Sequence, residues 1–212
     1  MRALAASPCA ASSLSSLCLS GCKRIEDDGL CALLAAAPLL RSLNLTRCLS
    51  LGDASLRALS HAPCAVRLEE LILYAGGGQY SQPALAEALR ATGGTLRRLD
   101  LCGCEGAGDE ALTSLCSAAT ELPLQVLNLT WCQGVSDAGL APLLSRAARL
   151  EWLSVHGNLS VTGAVVDALA QTCGETLRSL DVRGCTGIEA GSRTPAALRE
   201  RLPQLRHFAL HS

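Results

Sequence analysis

Leu124-Gln-Val-Leu127-Asn-Leu129-Thr-Trp131-Cys132-Gln-Gly-Val135-Ser-Asp137-Ala-Gly139-Leu140 is the stretch that decides the fold. Its first half alternates leucine with polar residues, the period of two that marks a half-buried strand. Its second half spaces apolar residues by three and four, as on one face of a helix. The phrase Leu-x-x-Leu-x-(Leu/Val)-x-x-Cys ends in Cys22, Cys48, Cys104, Cys132 and Cys185, and Gly76 and Asn158 fill that last place in two further copies. The steps between these places are 26, 28, 28, 28, 26 and 27 residues. A beat of this length identifies stacked strand–helix units and shifts the search for function from a pocket to a surface.

The copies start at Leu14, Leu40, Leu68, Leu96, Leu124, Leu150, Leu177 and Leu205. Residues 14–212 are therefore expected to form the repeat domain. Residues 1–13 read as the helix of a truncated leading repeat, because Arg2-Ala-Leu-Ala-Ala-Ser-Pro-Cys9-Ala parallels Arg57-Ala-Leu-Ser-His-Ala-Pro-Cys64-Ala. The faint likeness of the first residues to a secretory signal yields to this register. Nearly half the chain is hydrophobic but only 2% is aromatic, which favours small similar layers of Leu and Ala over one irregular core. Capping or first-turn residues with a carboxylate or hydroxyl stand where helices should start: Asp27, Asp28, Asp53, Asp109, Ser136 and Asp137. They are expected to accept from the free N–H groups of the first turn. Helices of about ten residues are marginal alone and need packing against their neighbours.

A formal net charge of −1 argues against a general nucleic-acid binder and against a polybasic membrane-surface protein. No run approaches the roughly 18 apolar residues of a membrane span. The twelve cysteines are read as free thiols of a reducing compartment, cytoplasmic and/or nuclear.

Cys-x-x-(Ile/Val)-x-Asp-x-Gly-Leu, read at Cys132 to Leu140 and in a close variant at Cys22 to Leu30, resembles the cysteine-containing class of leucine-rich repeats. That class is typical of F-box/leucine-rich-repeat proteins, the substrate receptors of cullin-based ubiquitin ligases. The resemblance implies an α/β, right-handed, curved solenoid with parallel strands on the concave face and short helices on the convex face. It also implies a protein substrate on the concave face and, where an F-box precedes the repeats, a ligase adaptor as second partner. The F-box has no candidate within this chain, which keeps open an interaction or inhibitor protein with no ligase link.

Chemistry-bearing patterns are sparse. Cys102-Gly-Cys104 is not a zinc pair, and no second pair lies at zinc-finger spacing, so no metal and no cofactor are expected. His61, His156, His207 and His211 are scattered, and neither a nucleophile elbow nor a metalloprotease helix motif occurs, so the chain is not expected to be an enzyme. Gly76-Gly77-Gly78 lacks the lysine of a phosphate loop and reads as a loose turn. The recurring place of Cys22, Cys48, Cys104, Cys132, Asn158 and Cys185 is read as a structural ladder, since an amide replaces a thiol there.

Within the repeat the third, fifth, seventh and eighth positions should face or flank the concave side. They are polar and varied, unlike the leucines between them. Candidate binding residues are Asn44, Thr46, Tyr74, Asp100, Asn128, Thr130, Trp131, Trp152, His156, Asp181 and Arg183. Asn128, Thr130, Trp131, Trp152 and His156 form the expected centre, because tryptophan offers large contact area with a polar N–H. Two readings of Trp131 stand side by side: an exposed contact, or a wall of the strand-to-loop bend.

Overall fold

The computed structural model describes residues 2–74, 80–188 and 195–209. Gly76, the glycine run that contains it, and His211 lie outside the described residues.

The strands are β1 (Ser16–Cys18), β2 (Ser42–Asn44), β3 (Glu70–Ile72), β4 (Arg98–Asp100), β5 (Val126–Asn128), β6 (Trp152–Ser154), β7 (Ser179–Asp181) and β8 (His207–Ala209). They form one parallel sheet in sequence order. Helices alternate with them: α1 (Arg2–Ala5), α2 (Pro8–Ser12), α3 (Asp27–Ala36), α4 (Asp53–His61), α5 (Gln82–Thr92), α6 (Asp109–Cys116), α7 (Asp137–Leu144), α8 (Ala164–Thr172) and α9 (Pro195–Arg201). Register is strict: Leu71, Leu99, Leu127 and Leu153 pair in line, and so do the residues on either side of each.

This pairing explains the leucine-rich composition. The middle residue of each strand from β2 to β6 is buried, while most flanking residues are half-exposed. The strand leucines join helix leucines such as Leu30, Leu56, Leu85, Leu112 and Leu140 in one continuous cluster. Each helix from α3 to α7 packs against the next. Burying one such leucine is worth roughly 1.5–3 kcal/mol, and the sum over interfaces sustains helices too short to persist alone.

Three ladders of side-chain hydrogen bonds lock the repeats together. The first uses the recurring cysteine. The thiols of Cys48, Cys104, Cys132 and Cys185 donate to the carbonyls of Leu19, Leu73, Leu101 and Val155, each in the preceding repeat, at 2.9, 3.1, 3.1 and 3.1 Å. Asn158 Nδ2 makes the same bond to the Leu129 carbonyl at 3.0 Å. Burial raises the Cys132 pKa above its ordinary range, which suits a neutral donor rather than a thiolate. Cys22 differs, being exposed at the start of the ladder.

The second ladder corrects the expected role of the aspartates. Four of the carboxylates reach the loop just before the next helix: Asp27 accepts from Gly52 N at 2.9 Å, Asp53 from Ser81 N at 2.7 Å, Asp109 from Ser136 N at 2.8 Å and Asp137 from Thr162 N at 3.0 Å. The hydroxyls of Ser55, Ser81, Ser136 and Thr162 donate to the same carboxylates. An aspartate at the first helical residue sits where stacking brings the next repeat's loop alongside, so the inter-repeat bond wins over the local cap. Those two bonds from Ser81 hold the Asp53 pKa below its ordinary value.

The third ladder lies at the strand ends. The fifth-position oxygens of Asn44, Asp100, Asn128 and Asp181 accept the N–H of the seventh residue, at 2.9, 3.0, 3.1 and 3.1 Å. The sixth and eighth N–H groups bond the next strand, as Leu129 N does to the Ser154 carbonyl and Trp131 N to the His156 carbonyl. The intervening N–H points away from that partner, and the side chain two residues back satisfies it. The fifth column is therefore not free of structural demand, as its variety suggests from sequence.

Candidate protein-binding site

The sheet face that carries the third and fifth positions is open, and it gathers the candidate residues into separate groups. The first is a groove of about 400 Å³ lined by Arg98, Asp100, Val126, Asn128 and Trp152. Asn128 donates from Nδ2 to Asp100 Oδ2 at 3.1 Å, fixing both side chains across β4 and β5. Arg98 is held by Glu70, Nε to Oε1 3.2 Å. Trp152 is half-buried and pairs in register with Val126, so the two make an apolar wall beside a polar floor. Such a mixture orients a ligand through a few placed polar groups while its bulk is held by apolar contact.

The second group stands at the C-terminal edge of the sheet. The eighth position of the repeat lies in the left-handed backbone region: φ is 74° at Gly21, 71° at Gly103, 79° at Gly157 and 73° at Gly184. Glycine adopts this conformation without steric cost. Arg47 and Trp131 adopt it as well, with φ of 54° and 59°. Each then lies over the seventh-position ring of the following repeat. The Arg47 guanidinium sits 6.0 Å from the centroid of Tyr74, and Trp131 meets His156 at 5.0 Å between ring centroids, tilted 47°. Trp131 remains 55% exposed and Tyr74 37%. The Trp131 ring both covers Gly157 at the bend and leaves an exposed face.

The remaining candidates are more constrained than their sequence suggests. Thr130 shares a hydrogen bond with the Ser154 hydroxyl at 2.7 Å, and Ser154 is buried. Asn44 and Thr46 are half-exposed at one end, joined through the strand-end bond already described. Asp181 and Arg183 form a self-contained pair, Oδ2 to Nη2 2.7 Å, which neutralises the charge expected to flank the patch. Cys102, at a seventh position, is buried, and burial with the Asp100 carboxylate nearby pushes its pKa up to about 11. It is thus no reactive thiol at neutral pH. Arg98, Val126 and Arg47 were missed by the sequence reading. The eighth column could have exposed Arg47 and Trp131 together, as the two large side chains in a column otherwise of glycine, alanine and serine.

Among the described residues no group of three or more His, Cys, Asp or Glu side chains could hold a metal ion. Among them also, no helix is long and apolar enough to cross a membrane.

Comparison with known proteins agrees with this architecture. A family profile described as Leucine Rich repeat matches residues 123–144. A chain of the Rad7 and Elc1 complex from yeast superposes with a TM-score of 0.71 at 21% identity, covering 86% of this chain and 44% of that one. The present chain thus spans less than half the length of that neighbour. The leucine-rich repeat-containing protein LegL7 from Legionella pneumophila superposes with a TM-score of 0.52 at 20% identity, over 99% of this chain and 68% of that one. No curated protein sequence matches. The fold is an α/β leucine-rich-repeat solenoid.

Proposed function

We propose that this chain is a noncatalytic protein-recognition module whose open, concave strand face holds a protein substrate. We further assign it to the substrate-binding part of a cullin-type ubiquitin-ligase receptor, acting in the cytoplasm and/or nucleus. The observation that carries the recognition role is the groove beside Trp152 together with the exposed Trp131, whose ring meets half-buried His156. Large rigid aromatic surface next to fixed polar groups is the composition of interface hot spots. A chain of like fold resides in a complex of two proteins, Rad7 and Elc1, which supports a partner-bound life for this scaffold. The ligase assignment rests on the cysteine-containing repeat phrase that resembles F-box/leucine-rich-repeat proteins.

The mechanism is positioning. The solenoid supplies no reacting group; it holds a substrate while an associated ligase transfers ubiquitin. Affinity purification of the full-length natural protein tests this reading. Recovery of the cullin-ligase adaptor, together with a substrate lost on combined Trp152→Ala and His156→Ala substitution, is the expected result. Absence of the adaptor would leave an interaction or inhibitor protein with no ligase link. Unchanged substrate affinity in the folded double variant would reject the patch.

A further inference from the structure

The N-terminal edge of the sheet carries a second surface, unconnected with the strand face. A cleft of about 510 Å³ is lined in part by Arg41, Arg67, Glu69 and Arg97. A second of about 190 Å³ is lined in part by Glu121, Arg146 and Arg149. Gly94 and Pro123 line both, so the two are one continuous groove running past the starts of β2 to β6. Five arginines and two glutamates line it, in a chain whose formal net charge is −1. The groove lining is thus net positive in a chain that is not.

The arginines divide by role. Glu69 bridges Arg41 and Arg97, whose Nε lies 3.7 Å from Glu69 Oε2. Arg146 donates to the carbonyls of Cys116 and Ala119 at 2.8 and 3.2 Å, which anchors it to the end of α6. Arg67 and Arg149 are exposed and have no hydrogen-bond or ion-pair partner for their guanidinium groups among the described residues. They line different halves of the groove, Arg67 before β3 and Arg149 before β6, with their donors available. Val66, 70% exposed, adds an apolar contact beside Arg67.

We propose that this groove binds an acidic, extended peptide segment of a partner protein. Five strands about 4.8 Å apart give a groove of about 19 Å, which is roughly six residues of extended chain. Carboxylates of such a segment would pair with Arg67 and Arg149, since guanidinium and carboxylate match as bidentate hydrogen-bonded pairs. Glu69 and Glu121 within the groove, and Val66 at its rim, disfavour a continuous phosphate backbone and favour a peptide that mixes acidic and apolar side chains.

A fluorescein-labelled peptide of alternating glutamate and leucine, measured by fluorescence anisotropy at low and at physiological salt, tests the proposal. Binding that weakens with salt is expected. Arg67→Glu and Arg149→Glu should each weaken it at least tenfold, while Arg24→Glu, the same charge change on an exposed residue outside the groove, should leave it within twofold. Circular dichroism establishes that each variant is folded. Absence of binding, an equal loss with Arg24→Glu, or tighter binding of a single-stranded oligonucleotide of the same charge would each overturn it.

Discussion

Replacing Trp131 by glycine and by alanine should give stabilities in the reverse of their usual order. At a backbone that both residues adopt freely, alanine is favoured over glycine by about 0.4–1 kcal/mol, because glycine has more freedom to lose on folding. Trp131 has φ of 59°, in the left-handed region. There a Cβ costs roughly 1–2 kcal/mol. The difference favours glycine over alanine by about 0.8 kcal/mol, within about 0–1.6. Both variants lose the ring contact with His156, worth about 0.5–1.5 kcal/mol. The alanine variant keeps the strain and loses the contact, so it should fall about 1 kcal/mol below the parent. The glycine variant sheds the strain and should lie close to the parent. For a chain of this size the gap between variants corresponds to about 2–4 °C in Tm. Urea and thermal melts followed by circular dichroism at the helix band measure it, since fluorescence would change with the tryptophan itself. Thr130, whose φ is not positive, provides the control, and alanine should there be the more stable of the two. An alanine variant more stable than the glycine variant at residue 131, the order expected at Thr130, would refute the assignment of backbone strain to Trp131.

Three further outcomes follow from the ladders. Asn158→Ala removes the donor to the buried Leu129 carbonyl and should cost about 1–3 kcal/mol, whereas Asn158→Cys restores the bond of the other repeats and also removes an amide oxygen that lacks a partner; urea midpoints should separate the two. Because Asp53 has a lowered pKa in the folded chain, its contribution should be complete above the ordinary value of 3.8 and be lost as pH falls through the lower folded value. The stability difference between parent and Asp53→Ala, measured from pH 7 to pH 2.5, should therefore shrink only below about pH 4. Brief alkylation at pH 8 followed by mass spectrometry should label Cys9, Cys18 and Cys22, which are exposed, and spare Cys104, Cys132 and Cys185 until urea is added.

How far the sequence reaches depends on the distance over which each feature is encoded. The alternation at Leu127 and Leu129 is local, and β5 follows it directly. The recurring cysteine is visible as a beat, but its acceptor is the sixth residue of the preceding repeat, which only stacking brings within reach. The aspartates show the same limit in reverse. Asp109 at the start of α6 matches a local capping pattern, yet its partner Ser136 lies 27 residues away. The variety of the fifth column suggests freedom, while Asn44, Asp100, Asn128 and Asp181 in fact serve the strand ends. At the site, Trp152 and Asn128 share a groove as register implies. Arg98 is not legible in the sequence, because third-position residues vary in type and an arginine there carries no pattern of its own.

The rims of the sheet are the places where this chain departs from its own repeat at an energetic cost. Six described eighth positions share one backbone conformation, and four of them are glycine. At Trp131 the departure also constrains the next repeat. A Cβ on Gly157 would sit 2.5 Å from Trp131 Cε3, so the tryptophan can lie over His156 only while residue 157 is glycine. Gly157 thus has two reasons to lack a side chain, its φ of 79° and the ring above it. A bulky eighth-position residue therefore excludes another in the repeat that follows, and protrusions on this rim come at intervals set by the stacking. Arg47 and Trp131 are separated by three strand spacings, about 14 Å. A single partner that uses both must present two contacts at that separation, one for a cation over Tyr74 and one for the face of an indole. Glycine at residue 47 or 131 would remove one contact while relieving strain, which separates binding from stability at each point of the rim.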